Sequence, residues 1–147
     1  MDAVLGRAMA LVNQLTPAQA SALSEVDSEA LYNAGIDALE QDHFEDALEI
    51  FGHLAALMPG NPRYSFGFAL CLQHFGEIQL AGEYYSLAYA LDPSDAACAF
   101  RLGECLANVG QIEAARDALG AAIQLTELPK SDPGIRHLAE QLLDQLQ

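Results

Sequence analysis

Residues 62–95 read PRYSFGFALCLQHFGEIQLAGEYYSLAYALDPSD, and the pattern inside them recurs 34 residues earlier and 34 residues later. At that register Gly35, Ala69 and Gly103 align, as do Ala47, Ala81 and Ala115. Phe51, Tyr85 and Leu119 align as well, and Pro59 matches Pro93. Between the two small sites Gly76 and Gly110 mark a turn, with Asp42 at the corresponding place. Two residues further on comes an apolar anchor, Phe44, Ile78 or Ile112. Apolar residues recur at spacings of three and four and nowhere alternate with period two, so each block reads as helix, tight turn, helix.

Each position has a physical reason. Gly or Ala at the first small site lets the second helix of a pair approach closely, and Ala at the second site supplies the matching flat spot. The aromatic that follows fills the gap between neighbouring blocks, and the proline ends the second helix. Glycine at the turn takes the left-handed conformation of a helix C-cap, which Asp tolerates less well.

Working outward gives one all-α domain over 1–147, with blocks at 28–61, 62–95 and 96–129. The third block has Glu127 at the proline position and ends at Leu128-Pro129. An N-terminal segment, 1–27, precedes them. Val4, Leu5, Ala8, Leu11, Val12 and Leu15 form one stripe of an amphipathic helix over about 2–14. Thr16-Pro17-Ala18-Gln19 starts a second short helix, and Asp27 or Ser28 is expected to cap the next. In the last segment, 130–147, a helix over about 133–146 carries Ile135, Leu138, Ala139, Leu142, Leu143 and Leu146 as a cap on the stack.

These positions resemble the tetratricopeptide repeat, three copies in tandem. The chain departs from that consensus early in each first helix, where Leu31, Ser65 and Ala99 replace a large aromatic.

Composition narrows the function. Apolar residues make up 52% and charged residues 18%, which excludes a disordered chain. Lys and Arg number 6 against 21 Asp and Glu, for a net charge of −15. That balance argues against nucleic acid and against an anionic membrane surface, since both need a clustered basic footprint. It leaves open a docking surface for a basic partner. No apolar run reaches the length of a membrane span, and no secretory leader opens the chain, so a cytoplasmic protein is expected. Cys71, Cys98 and Cys105 are an odd number with no C-x-x-C, which fits a reducing compartment. His43, His53, His74 and His137 form no metal-binding spacing, and there is neither a phosphate loop nor a G-x-S-x-G motif. The expectation is no enzyme, no cofactor and no metal.

What remains is the other face of each first helix. It presents Tyr32, Ile36 and Leu39 in the first block, and Arg63, Phe66, Leu70 and Gln73 in the second. The third adds Phe100, Glu104 and Ala107, and His74 sits at the end of its helix nearby. A solvated groove is polar; this one is apolar and aromatic, as binding grooves are. Either the N-terminal helices fold back over it, or they pair two copies of the chain through the Val4–Leu15 stripe and leave it open.

A second resemblance rests on residues 30–35, 46–51, 62–67 and 100–105 followed by Gly110. Taken with the acidic composition and the amphipathic N-terminal segment, they are similar to the class II chaperones of type III secretion. That resemblance implies a bacterial cytoplasmic chaperone that keeps membrane-inserting translocator proteins soluble. Its groove would hold an extended, proline-punctuated client segment, with Tyr32, Phe66, Leu70 and Phe100 as the carried-over contacts. Ile36 and Leu39 stand where such proteins often have further aromatics. Two alternatives stay open: a chaperone of another export substrate such as a needle subunit, and a general tetratricopeptide adaptor.

Overall fold

The computed structural model describes residues 25–147, with Glu25 and Val26 as backbone only. Among them run seven helices and no strand: α1 (Glu25–Glu40), α2 (Phe44–Leu57), α3 (Pro62–His74), α4 (Ile78–Leu91), α5 (Ala96–Asn108), α6 (Ile112–Leu125) and α7 (Pro133–Gln145). The all-α tetratricopeptide-type class expected from the period is the one observed. The chain divides into two compact units, one up to Glu77 and one from Ile78, so the division falls inside the 62–95 block.

The turns repeat as the register demands. Asp42 has φ +60°, and Gly76 and Gly110 both have φ +84°. At each turn the same two bonds close the preceding helix. Asp42 N–H donates to Leu39 and His43 N–H to Ala38; Gly76 and Glu77 donate to Gln73 and Leu72; Gly110 and Gln111 donate to Ala107 and Leu106. This is the Schellman closure, which needs one left-handed residue. Asp pays for that conformation where glycine does not, by about 1 kcal/mol.

Three helix starts, those of α3, α5 and α7, are capped by short polar side chains. Asn61 accepts from Arg63 N–H at 3.0 Å ahead of Pro62, Asp95 accepts from Ala97 and Cys98 N–H, and Asp132 accepts from Gly134 N–H ahead of Pro133. The cap expected at Asp27 or Ser28 is not formed. α1 begins at Glu25, which puts Ser28 inside the helix, where its buried hydroxyl donates to Met58 Sδ at 3.1 Å.

In the first unit α2 packs against both α1 and α3, and Phe51 is its fully buried centre. A Cβ added to Gly35 would come within 2.9 Å of the Phe51 ring, and one added to Gly67 within 2.4 Å. The ring is therefore clamped between two bare backbones, and its burial contributes roughly 2–3 kcal/mol. Ala47, Leu48, Leu54 and Phe68 are fully buried with it.

The second unit packs α5 against α6, α4 against α5, and α7 against α6. Leu119 occupies the register position of Phe51, and a Cβ on Gly103 would meet its Cδ2 at 2.7 Å. Tyr85 is buried, and its carbonyl accepts the Cys98 thiol at 3.3 Å. After α6, Ser131 N–H donates to Leu128 around Pro129 and Lys130, and the φ of +69° at Lys130 makes this a type II turn. That reverses the chain into α7. Ala139 is fully buried, with Ile135, Leu142, Leu143 and Leu146 against the core, and Arg116 donates to the Leu146 carbonyl at 2.7 Å. Leu138, expected on the buried stripe, is 48% exposed because it stands at the rim of the arc that Ala139 and Leu143 centre.

Candidate functional site

Tyr32, Ile36 and Leu39 follow one another at four and three residues along α1, which places them on one face. All three are half-buried. On α3, Phe66, Leu70 and Gln73 are half-buried and Arg63 is exposed. The two rows meet at the N-terminal end of α3. The Tyr32 ring lies 5.7 Å from the Tyr64 ring and 5.9 Å, edge-on, from Phe51, so its inner side rests on the core. Its outer side is covered by the Arg63 guanidinium, 4.4 Å from the ring centroid and 5.8 Å from that of Tyr64. Arg63 in turn pairs with Glu29 on α1.

The electrostatics follow from that pairing. The hydrogen bond that Arg63 donates to the Glu29 carboxylate holds the Arg63 pKa above its ordinary value, so the cation is permanent. Burial pushes the Tyr64 phenol up, so the ring stays neutral. A half-exposed ion pair and a half-exposed cation–π contact are each worth about 1 kcal/mol or less. Arg63 is therefore a light cover over an aromatic floor, displaced at little cost by anything apolar that fits beneath it.

Other expected site residues lie elsewhere. His74 is at the far end of α3, stacked on Phe44 with centroids 3.6 Å apart and planes at 14°, and edge-on to Phe75 at 5.1 Å. Eleven residues of helix separate it from Arg63, about 16 Å. In the second unit Phe100 is a correction. It is only 7% exposed, in a core cluster with Ala99, Leu119, Ala122 and Ala139, because α7 closes over the face on which it was expected to stand open. Glu104 is half-buried and pairs with Arg101 at 3.2 Å. The Val4, Leu5, Ala8, Leu11, Val12 and Leu15 stripe lies outside the described residues.

Sequence reasoning passed over Glu29 and Tyr64. A signal existed for the first: Glu29 and Arg63 are 34 residues apart, opposite charges at one register position of consecutive blocks. Nothing in the spacing singled out Tyr64.

Covalent chemistry finds little to work with among the described residues. All three thiols are buried, and burial pushes Cys71 and Cys98 up to about 12 and Cys105 up to about 11, so none supplies thiolate near neutrality. Among the described residues no three His, Cys, Asp or Glu side chains converge as a metal site, and no helix is long and apolar enough to cross a membrane.

Comparison with known proteins agrees with this architecture. Residues 40–122 match the family model described as anaphase-promoting complex, cyclosome, subunit 3. No curated protein matches the chain significantly. Among solved structures, PcrH of Pseudomonas aeruginosa in complex with the chaperone binding region of PopD is 26% identical, with a TM-score of 0.78 over 84% of this chain and 93% of that one. A T3SS complex from Aeromonas hydrophila is 25% identical, with a TM-score of 0.80 over 94% and 92%. The type III secretion chaperone SycD of Yersinia enterocolitica, in complex with a peptide of the translocator YopD, is 25% identical with a TM-score of 0.72 over 84% and 94%. Matched over more than half its length, the chain belongs to the family described as anaphase-promoting complex, cyclosome, subunit 3, a tetratricopeptide-like family, and it is similar in sequence and fold to the type III secretion translocator chaperones.

Proposed function

We propose that the chain is a bacterial cytoplasmic chaperone of type III secretion translocators, and that the α1–α3 face of the first unit receives an extended apolar segment of the client. The observation that carries this reading is the Tyr32 ring, seated on the core and covered on its outer side, among the described residues, by the Arg63 guanidinium. The likeness to chaperones solved with translocator segments supports it. An extended client segment would displace the guanidinium and bury its apolar side chains against Tyr32, Ile36, Phe66 and Leu70. Ordering that segment costs entropy, which keeps affinity moderate and release feasible at the export gate. Sequestration then protects the membrane-inserting client by mass action. The high negative charge keeps the complex soluble.

The test is a peptide-binding measurement. Replacing Tyr32 and Phe66 together by Ala should weaken binding of a proline-containing client peptide by about 2–4 kcal/mol, with helicity unchanged. Glu45→Gln with Glu49→Gln should leave that peptide's affinity alone. Normal binding by the aromatic double variant, with failure of the acid variant, would overturn the proposed face.

A further inference from the structure

The turn end of the first unit carries a second, differently built concavity. One part, about 430 Å³, has an apolar floor of Ala34, Ala38 and Ile50 between Asp37 and Glu49. The adjoining part, also about 430 Å³, has a wall of Phe44, His74 and Phe75 beside Asp42 and Glu45. His43 and Asp46 line both, so the two lie side by side along one acidic surface groove. Its aromatic wall is fixed: His74 lies nearly parallel on Phe44, and Phe75 braces it edge-on.

The surroundings select the occupant by charge. Residues 25–77 hold ten carboxylates and a single Lys or Arg, Arg63, which is engaged with Glu29 at the other end of α3. Among the described residues Asp37, Asp42, Glu45 and Asp46 make no ion pair. Glu45 and Asp46 have a local reason to be acidic, since they stand in the first turn of α2. That reason does not reach Asp37 or Asp42. Asp42 occupies a left-handed position where its two counterparts are glycine, so the turn itself does not call for its carboxylate.

We propose that this groove docks an arginine-bearing segment of a partner protein, at a surface separate from the α1–α3 face. A long basic side chain has an aliphatic stem for the alanine and isoleucine floor and a cationic head for the carboxylates. The planar guanidinium also stacks on aromatic rings, which favours arginine over lysine against the Phe44–His74–Phe75 wall.

The experiment uses the full chain and a labelled synthetic peptide of alternating Arg and Ser, read by fluorescence anisotropy at about physiological salt. A Lys–Ser peptide and a citrulline–Ser peptide serve as comparators. The arginine peptide should bind at least fivefold more tightly than the lysine peptide and at least thirtyfold more tightly than the citrulline one. Asp46→Asn with Glu49→Gln should weaken it at least tenfold. Phe75→Leu, which keeps an apolar anchor, should weaken the arginine peptide about fivefold and the lysine peptide less than twofold. Asp117→Asn with Asp144→Asn removes the same charge from the second unit and should change nothing, as should Tyr32→Ala with Phe66→Ala. An equal loss in the second-unit variant would mean bulk charge attraction and would overturn the groove. No binding, or equal affinity for arginine and lysine peptides with no effect of Phe75→Leu, would overturn it too. Circular dichroism on each variant separates lost binding from lost folding.

Discussion

Position 51 and position 119 are equivalent in the 34-residue register, and the two units fill them differently. The first unit uses a planar ring, gripped from both sides by Gly35 and Gly67. The second holds the buried Tyr85 at the same register position of one block and, at 119, a branched aliphatic chain over Gly103 with α7 laid across the result. The backbone solution is common and the side-chain solution is local. The clamped Phe51 leaves the half-buried Tyr32 ring at the edge of the first unit's core, against the fully buried Tyr64. The cluster around Leu119, closed by α7, takes the second unit's one phenylalanine inside. The difference leaves Tyr32 half-buried at the edge of the first unit and Phe100 buried in the second.

The strongest way to break this comparison is to add one methyl group to each side of it. Gly67→Ala should cost about 2–3 kcal/mol, because a rigid ring stands where the Cβ must go. Gly103→Ala should cost about 1 kcal/mol, because the Leu119 side chain can rotate away and the helix gains propensity. Urea midpoints decide it, and Phe51→Leu should rescue the first variant. Equal costs, or the reverse order, would show that the two gaps are filled alike.

Alkali sharpens the comparison through the thiols, one in the first unit and two in the second. A thiol whose folded pKa lies above its unfolded value stabilises fully below the unfolded value, near 9, and loses that contribution as pH rises toward about 12. Each of Cys71 and Cys98 should therefore cost stability on the order of 1 kcal/mol by pH 10. Thermal melts of Cys71→Ala and of Cys98→Ala with Cys105→Ala should show a shallower alkaline decline than wild type, with the second-unit variant the shallower of the two.

The smallest effect lies at the turns. Asp42→Gly should raise stability by about 0.5–1 kcal/mol, and Gly110→Asp should lower it by about 1 kcal/mol. A loss on Asp42→Gly would mean that the carboxylate contributes something the backbone geometry does not show.

Much of the frame was legible because it obeys the period. The left-handed residues at 42, 76 and 110, the close approach at Gly35 and Gly103, and the fillers Phe51 and Leu119 all follow from one register. What breaks the register was invisible to it. Gly67 has Asn33 and Arg101 as counterparts, so nothing periodic marks it as the second jaw on Phe51. Phe100 shares its helix face with expected groove residues, and its burial depends on where a helix more than thirty residues later comes to rest. The Phe44–His74 stack joins the start of one helix to the end of another, a contact no spacing within a helix can disclose.

The paired phenols beside Arg63 have an optical consequence. The chain has five tyrosines and no tryptophan, so ultraviolet emission comes from phenols alone, with no indole to drain it by energy transfer. Two of the five sit within 6 Å of one another beneath a guanidinium that an incoming segment would have to push aside. Occupancy of that face would thus be written into the protein's own fluorescence, and titrations need no dye on the chain if the incoming segment lacks tyrosine and tryptophan.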